Sequence, residues 1–171
     1  MEDKMEKYFF LWLIFLMINV YAKDEKLSKI YIDKSNNVHI IDLNGKKSKL
    51  TKDGKAIRAS ISEDKSTVAW LKQENWIAEG DKTAGASRLY VYRNRRTRMI
   101  ECNPFIRDYW FWEGGRQVGI DCGGRHFAGT LSLYDVKTGK ELESFFQSDI
   151  PEKKRPAWSA SGPDYESQRI Q

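Results

Sequence analysis

Two cysteines carry the most definite chemistry in this sequence. Cys102 and Cys122 are twenty residues apart, and the chain contains no other cysteine. A small even number of cysteines in an oxidising compartment predicts one disulfide, worth about 3 kcal/mol for a loop of this length in the chain-entropy model. The alternative is a free reactive thiol, but pairing Cys122 with His126 as a nucleophile would require Cys122 to stay unbridged.

The sequence contains few residues at the spacings that metal-binding and catalytic sites use. His39 and His126 are far apart, and the sequence has neither a Cys-x-x-Cys pair nor a His-x-x-x-His pair of the kind that zinc sites use. Asp108, Asp121 and His126 could meet in space as a metal site or a hydrolytic cleft. The sequence also lacks G-x-S-x-G, G-x-x-x-x-G-K and H-E-x-x-H motifs. We therefore predict no catalytic residues, no metal site and no cofactor.

A long polar segment at residues 73–87 is a candidate for contacting a partner. Connections longer than about 12 residues in a compact domain are usually functional or mobile. The residues of this loop that we predict to bind a partner are Trp76, Ile77, Glu79 and Asp81. The alternative is a mobile insertion without a binding role.

Two further segments could supply binding residues. The turn at residues 93–98 holds four arginines, and Arg95 and Arg96 could pair with carboxylates or phosphates through bidentate guanidinium contacts. A run of four aromatic residues begins with Tyr109 and Trp110, and in a strand it would place aromatic rings on both faces. The functional interpretation is an exposed aromatic patch of the kind found at interface hot spots. The alternatives are a solvated turn and a strand packed on both faces.

The N-terminal segment predicts export. Residues 8–20 form an apolar stretch of about 13 residues, too short to span a bilayer comfortably, and small residues follow near Ala22. We predict a signal peptide at residues 1–22 and a periplasmic or secreted protein with no stable membrane span after processing. The alternative is a short uncleaved anchor.

The charge of the chain constrains its partners. Residues 1–22 hold two lysines and three acidic residues, so the remainder has a net charge of +6. This charge suits an acidic protein, an anionic glycan or a lipid headgroup surface. Nucleic acid is the usual partner of a basic chain, but export argues against it.

Short alternating segments separated by turn residues predict an all-β fold. Asn44-Gly45 favours a tight type I′ hairpin turn, in which both residues have positive φ. The predicted strands lie at residues 29–33, 38–43, 46–51, 57–62, 67–71, 88–92, 97–101, 109–112, 117–121, 130–135 and 141–146. We expect a β-rich domain at residues 23–150 and a loosely ordered tail at 151–171 that packs Trp158 onto the last sheet.

A weak internal repeat indicates propeller-like sheets. The turns at 62–65 and 158–162 are about 95 residues apart, with a related segment near 111–115, and a period of 40–50 residues with four strands is typical of propeller blades. Residues 62–65 and 158–162 resemble degenerate copies of the W-S-P-D-G turn of TolB-type propeller repeats, and residues 133–140 resemble the outer strands of such a blade. The resemblance implies antiparallel sheets stacked as two to three blades, a partial propeller.

The overall profile is also similar to that of small periplasmic immunity proteins that neutralise envelope-attacking toxins of the type VI secretion system. That similarity implies a binding protein that sterically inhibits a toxin or another envelope protein. The alternative hypothesis is an envelope scaffold or a glycan-binding β module.

Overall fold

Eleven antiparallel strands make up most of the described chain. The structure is a computed structural model that describes residues 24–74, 85–124 and 128–160. The strands are β1 (Leu27–Ile32), β2 (Val38–Asp42), β3 (Lys47–Lys49), β4 (Ala56–Ile61), β5 (Thr67–Lys72), β6 (Arg88–Arg93), β7 (Arg96–Glu101), β8 (Ile106–Trp112), β9 (Gln117–Cys122), β10 (Thr130–Asp135) and β11 (Glu141–Phe146). Within the described ranges, three 3₁₀ helices are present at Glu113–Gly115, Glu152–Lys154 and Ala157–Ser159. The predicted all-β class is confirmed.

The strands form three separate antiparallel sheets in chain order. The first sheet contains β1, β2 and β3, the second contains β4 to β7, and the third contains β8 to β11. Every hydrogen-bonded pair joins strands that are neighbours in sequence, as in a series of meanders. This is the propeller-like stack of two to three blades that the sequence predicts.

Alternation of side chains along each strand produces two cores on opposite faces of the second sheet. On one face, Val68 and Trp70 of β5 pack with Leu27 and Val38 of the first sheet. On the other face, Leu71 joins a cluster with residues of the third sheet, including Val118 and Ile120. The first and third sheets therefore lie on opposite sides of the second, each buried against it.

A third cluster covers the far face of the third sheet. Trp158 is 4% exposed and packs with Leu131 and Leu133, as the sequence predicts. Its indole N–H donates to Glu143, and its ring contacts Phe145 at a centroid distance of 5.7 Å. Residues 151–160 thus form a short cover on this face, and residues 161–171 of the predicted tail lie outside the described part of the chain.

The prediction of a type I′ turn at Asn44-Gly45 is wrong, because only Gly45 has a positive φ, at 79°. The Asp42 carboxylate accepts hydrogen bonds from the backbone N–H groups of Asn44 and Lys46, which favours a longer loop with a single left-handed residue. The turn between β6 and β7 instead has both central residues at positive φ, Asn94 at 50° and Arg95 at 61°. This is the two-residue geometry that matches the twist of a hairpin.

The disulfide joins the second and third sheets. Cys102 follows β7, Cys122 ends β9, and the two Cα atoms are 5.8 Å apart. The bridge predicted from the cysteine count is therefore confirmed, and the structure contains no free cysteine. It closes residues 102–122, which include β8 and β9, into a covalent loop beside the end of β7.

Arg93, at the end of β6, links all three sheets. Its side chain is only 12% exposed, and it pairs with Asp24 ahead of β1 and with Asp64 in the turn between β4 and β5. The guanidinium also donates to the carbonyl of Gly115, 3.1 Å away, in the 3₁₀ helix that connects β8 and β9 of the third sheet. Within the residues that the structure describes, no helix is long and apolar enough to cross a membrane.

Candidate functional site

A groove of about 530 Å³ opens between the first and second sheets. The link from β3 to β4 supplies one wall through Leu50, Thr51 and Asp53. Strands β5 and β6 supply the other wall through Lys72 and Tyr90. Its volume lies within the roughly 300–1,000 Å³ of typical small-molecule sites, so the groove is large enough for a sugar ring or a short peptide.

The apolar wall of the groove consists of two aromatic rings. Trp70 and Tyr90 are directly opposite each other on β5 and β6, and their centroids are 5.6 Å apart with planes 11° from parallel. Trp70 is 4% exposed and serves as the support, whereas Tyr90 is only partly buried. The accessible aromatic surface in the groove therefore belongs mainly to Tyr90.

The polar rim is built around an ion pair between the two sheets. Lys72 Nζ is 2.8 Å from Asp53 Oδ2 and 6.0 Å from the centroid of the Tyr90 ring. The hydrogen bond from Lys72 lowers the pKa of the Asp53 carboxyl, and the same contact raises the pKa of Lys72. Both groups stay charged at neutral pH, so the groove offers a strong acceptor beside a strong donor.

The groove is open because the first sheet is too small to cover the second. Strand β3 has three residues, whereas β7, the outer strand of the second sheet, has six. Met99 of β7 is directly opposite Tyr90 and remains 50% exposed. The uncovered face of the second sheet thus extends from the groove towards its outer edge.

The ends of the predicted binding loop border a second pocket of about 460 Å³. Glu74 accepts a hydrogen bond from Ser87 and pairs with Arg88 at 3.2 Å, which holds the two loop ends together. Asn103 and Pro104 from the disulfide loop line the same pocket. The predicted binding residues of this loop, Trp76, Ile77, Glu79 and Asp81, lie outside the described residues.

Arg95 and Arg96 occupy the exposed hairpin turn predicted for them. The Arg95 side chain is 84% exposed, with Glu25 at 3.9 Å, and Arg96 begins β7 in an exposed position. This turn is a separate surface from the groove, because Arg95 and Arg96 do not line it. Both guanidinium groups are accessible to an anionic partner.

The structure corrects the expectation that Tyr109 belongs to an exposed aromatic patch. Tyr109 is 6% exposed in the core between the second and third sheets. Its hydroxyl accepts a hydrogen bond from Ser60 and donates one to the Ala69 carbonyl, while the Arg58 guanidinium lies 4.3 Å above its ring. Tyr109 therefore holds the second and third sheets together.

Trp110 faces the opposite side of β8 and is partly buried there. Its indole N–H donates to the backbone carbonyl of Trp158 at 2.6 Å, and the two rings stack at 6.4 Å. Gly119, opposite it on β9, leaves room for the ring, since a Cβ there would lie 2.3 Å from the Trp110 side chain. The structure therefore uses Trp110 as packing for the C-terminal cover.

Asp108 and Asp121 are opposite each other on β8 and β9, but each is paired with an arginine. Asp108 lies 3.0 Å from Arg58, and Asp121 contacts Arg107. Burial raises the pKa of Asp108, with the Arg58 charge opposing the rise. Among the described residues no group of three His, Cys, Asp or Glu side chains is placed to hold a metal ion, and His126 lies outside that part of the chain.

Sequence reasoning missed the residues of the groove. Lys72 and Tyr90 lie on the same face of the second sheet as Trp70, and strand alternation alone could have grouped them. Strand alternation could not have grouped Asp53 with them, because Asp53 belongs to the connection from β3 to β4, which packs beside the second sheet only after folding. The groove is a product of tertiary structure rather than of a motif.

Comparisons with known proteins give only distant structural likeness. No protein-family model matches the sequence, and no curated protein matches it. Among solved structures, the chain is similar to the β-propeller domain of the Trilobed protease from Pyrococcus furiosus, with 17% identity, a TM-score of 0.47, and coverage of 76% of this chain and 44% of that chain. It is also similar to the Pyrococcus horikoshii acylaminoacyl peptidase, with 14% identity, a TM-score of 0.42, and coverage of 75% of this chain and 26% of that chain.

The chain spans less than half the length of either of these solved chains. Likeness at this level assigns no activity. The propeller-like description of this chain rests instead on its own three consecutive antiparallel sheets.

Proposed function

We propose that this chain is an exported binding protein of the bacterial envelope and that its groove holds a sugar ring of an envelope glycan. The observation that carries the proposal is the groove itself, in which the Tyr90 ring lies beside the Lys72–Asp53 ion pair. An aromatic surface combined with a few fixed polar groups is the usual composition of a small-molecule site.

The chemistry of the groove matches a saccharide. The C–H face of a sugar ring can pack on Tyr90, while neighbouring hydroxyls donate to Asp53 and accept from Lys72. Thr51 and Thr97 add two hydroxyl groups to the lining. Lys52 gives the groove a second cation against one carboxylate, which favours an uncharged or anionic sugar over a cationic one.

Export is supported by the disulfide and by the N-terminal sequence. A bridge such as Cys102–Cys122 persists in oxidising compartments and is rare in a reducing cytosol. The apolar segment at residues 8–20 supplies a route to such a compartment. A periplasmic or secreted location brings the groove to the glycans that we propose as ligands.

Co-sedimentation of the purified protein with peptidoglycan or lipopolysaccharide tests this function. We expect saturable binding that weakens at least tenfold in Tyr90→Ala and also weakens in Lys72→Met. Phe146→Ala at the end of β11 and Lys140→Met in the turn before β11 are matched controls outside the groove, and they should bind like the unchanged protein. Binding equal in all four variants, or no binding to either glycan, would contradict the proposal.

Steric inhibition of a protein partner, such as an envelope-attacking toxin, is the second candidate. The exposed arginine turn favours it, because Arg95 and Arg96 offer two accessible guanidinium groups outside the groove. Such groups pair readily with a carboxylate-rich protein face. In this case the loop at residues 73–87 would add further contacts.

Pull-down from the native host separates the two candidates. A hydrolase recovered with the unchanged chain, and lost with Arg95→Ala/Arg96→Ala but retained with Tyr90→Ala, would favour the inhibitor. Loss of the hydrolase with Tyr90→Ala alone would favour the groove as the binding site. Normal growth of a deletion strain beside toxin-bearing kin would count against the inhibitor.

A further inference from the structure

The uncovered face of the second sheet carries an apolar row of three side chains that crosses the strands. Trp70 of β5, Tyr90 of β6 and Met99 of β7 are directly opposite one another. Trp70 is buried, whereas Tyr90 is partly buried and Met99 is 50% exposed. Since neighbouring strands lie about 4.8 Å apart, Tyr90 and Met99 provide two accessible apolar contact points at roughly that spacing.

A charged row runs parallel to the apolar row, two residues away from it along each strand. It consists of Lys72, Arg88 and Glu101, which are also directly opposite one another. Side chains two residues apart in a strand point to the same face, so the two rows share one surface with their backbone positions about 7 Å apart. Polar groups therefore accompany the apolar row across the sheet.

Each apolar contact point has an ion pair beside it. Tyr90 lies beside the pair of Lys72 and Asp53 in the groove. In the charged row, Arg88 Nε is 2.9 Å from Glu101 Oε1, and the two side chains are 40% and 51% exposed. A ligand can reach both groups of this second pair. The combination of an apolar side chain, a donor and an acceptor thus occurs twice, on adjacent strands.

The groove is continuous with the second of these positions. Thr97 of β7 lines the groove, and Met99 and Glu101 follow it on the same face of the strand. All three residues are exposed. Ile100, on the other face of β7, is buried against the third sheet. A ligand that occupies the groove can therefore extend over β7 along one surface.

We propose that the ligand is a linear oligosaccharide, with one sugar unit at Tyr90 and the next at Met99. This inference rests on the proposed function, because the first unit is the sugar ring that the groove holds. The strand spacing is close to the length that one β-1,4-linked unit adds to a chain, so consecutive rings match consecutive strands. Hydroxyls of the second unit meet Arg88 and Glu101, as those of the first meet the ion pair of the groove.

The charges beside the row favour uncharged sugar units. Lys72 is paired with Asp53. Arg88 is paired with Glu101 and also has Glu74 at 3.2 Å. An anionic group on the ligand would compete with these carboxylates, whereas hydroxyl and amide groups can donate to the carboxylates and accept from the cations. The ligand class is therefore a neutral, linear glycan of two or more units.

Titration calorimetry with β-1,4-linked N-acetylglucosamine of one, two and four units measures the number of positions. We expect the two-unit sugar to bind the exported chain roughly fivefold more tightly than the single sugar, because a second apolar contact is buried. Four units should add little, since β7 is the outer strand of its sheet. Equal affinity for one and two units would overturn the inference and leave the proposed groove intact.

Met99→Ala identifies the second position. The preference for two units over one should disappear in this variant, whereas Tyr90→Ala should weaken the binding of both sugars. Leu142→Ala is the matched control and should keep the preference, because Leu142 is 51% exposed on the outer strand of the third sheet. A preference that survives in Met99→Ala would overturn the assignment of the second unit to β7.

Failure of the proposed function gives a different result. A chain that sediments with peptidoglycan but binds none of the three sugars would overturn only the inference. A chain that binds neither the sugars nor the two envelope glycans would overturn the inference together with the proposed function.

Discussion

The two junctions between neighbouring sheets are built differently. The junction of the second and third sheets has a disulfide, the buried Tyr109 with its hydroxyl bonded on both sides, and the Arg58–Asp108 ion pair. The junction of the first and second sheets has an apolar core and no disulfide, and its polar contacts include the Arg93–Asp24 pair at the end of β6 and the more exposed Lys72–Asp53 pair beside the groove. One junction is closed by covalent and buried polar bonds, whereas the other contains an open groove.

This difference separates the junction that stabilises the fold from the junction that leaves a groove accessible. A groove is accessible only where two sheets do not cover each other fully, and the short β3 leaves such an opening. The second sheet can hold one wall of the groove rigidly because its other face is fixed to the third sheet. The closed junction thus serves as the support, and the open junction leaves accessible the surface that we propose for binding.

Removal of the disulfide should have the largest effect on the closed junction. We expect the Cys102→Ala/Cys122→Ala chain to lose about 3 kcal/mol of unfolding free energy, because the bridge no longer restricts the unfolded chain. Urea denaturation followed by tryptophan fluorescence measures this loss. A loss below about 1 kcal/mol would mean that the two sheets do not depend on the bridge.

Tyr109→Phe should weaken the same junction by about 1–2 kcal/mol, because the Ser60 hydroxyl and the Ala69 carbonyl each lose a buried partner. Tyr90→Phe is the matched control at the open junction. It should change stability by less than about 0.5 kcal/mol, as expected for a partly exposed position. Equal losses in the two variants would remove the contrast between the junctions.

Asp53→Asn tests the polar contact of the open junction. The Lys72–Asp53 pair has side chains that are 28% and 41% exposed, so solvent screens it. We expect a loss of less than about 1 kcal/mol in urea denaturation, together with weaker glycan binding. A loss as large as that of the disulfide variant would show that the groove is part of the main support.

Acidification should change the stability that two carboxyl groups contribute in opposite directions. The backbone N–H of Asn37, with His39, lowers the pKa of Asp33 in the first sheet to about 2, whereas burial raises the pKa of Asp108. Asp33 contributes to the free energy of unfolding at pH values above the pKa that it has in the unfolded chain. This contribution is lost as the pH falls towards 2. The contribution of Asp108 to the free energy of unfolding is fully present below the pKa that it has in the unfolded chain. It declines as the pH rises through the pKa that Asp108 has in the folded chain.

Urea midpoints between pH 7 and pH 3 separate these two groups. Asp33→Asn should lose less stability on acidification than the unchanged chain, and Asp108→Asn should lose more. The effects should be the smallest of the series. Parallel profiles for all three proteins would contradict both assignments.

Much of the fold could be predicted from the sequence because strand alternation and turn residues are local signals. The predicted segments at 88–92 and 97–101 agree with β6 and β7 within one residue, and the two cysteines gave the correct bridge. The Asn44-Gly45 turn was wrong because the Asp42 side chain, outside the dipeptide, bonds the loop backbone.

The candidate site was harder to predict, because it depends on how sheets stack. Four consecutive aromatic residues in β8 carry no sign of which face meets solvent, and both faces turned out to pack. The groove needs Asp53 from one link and Lys72 from a strand that comes together with it only on folding. No spacing in the sequence encodes that distance.

Arg93 connects the behaviour of all three sheets. If the segment ahead of β1 detaches, the guanidinium loses its Asp24 partner while it remains bonded to Asp64 and to the Gly115 carbonyl. One side chain therefore couples the segment ahead of β1 to turns of the second and third sheets, in addition to the disulfide. Melting should consequently register as one transition rather than as sequential loss of sheets, whichever sheet a spectroscopic probe reports.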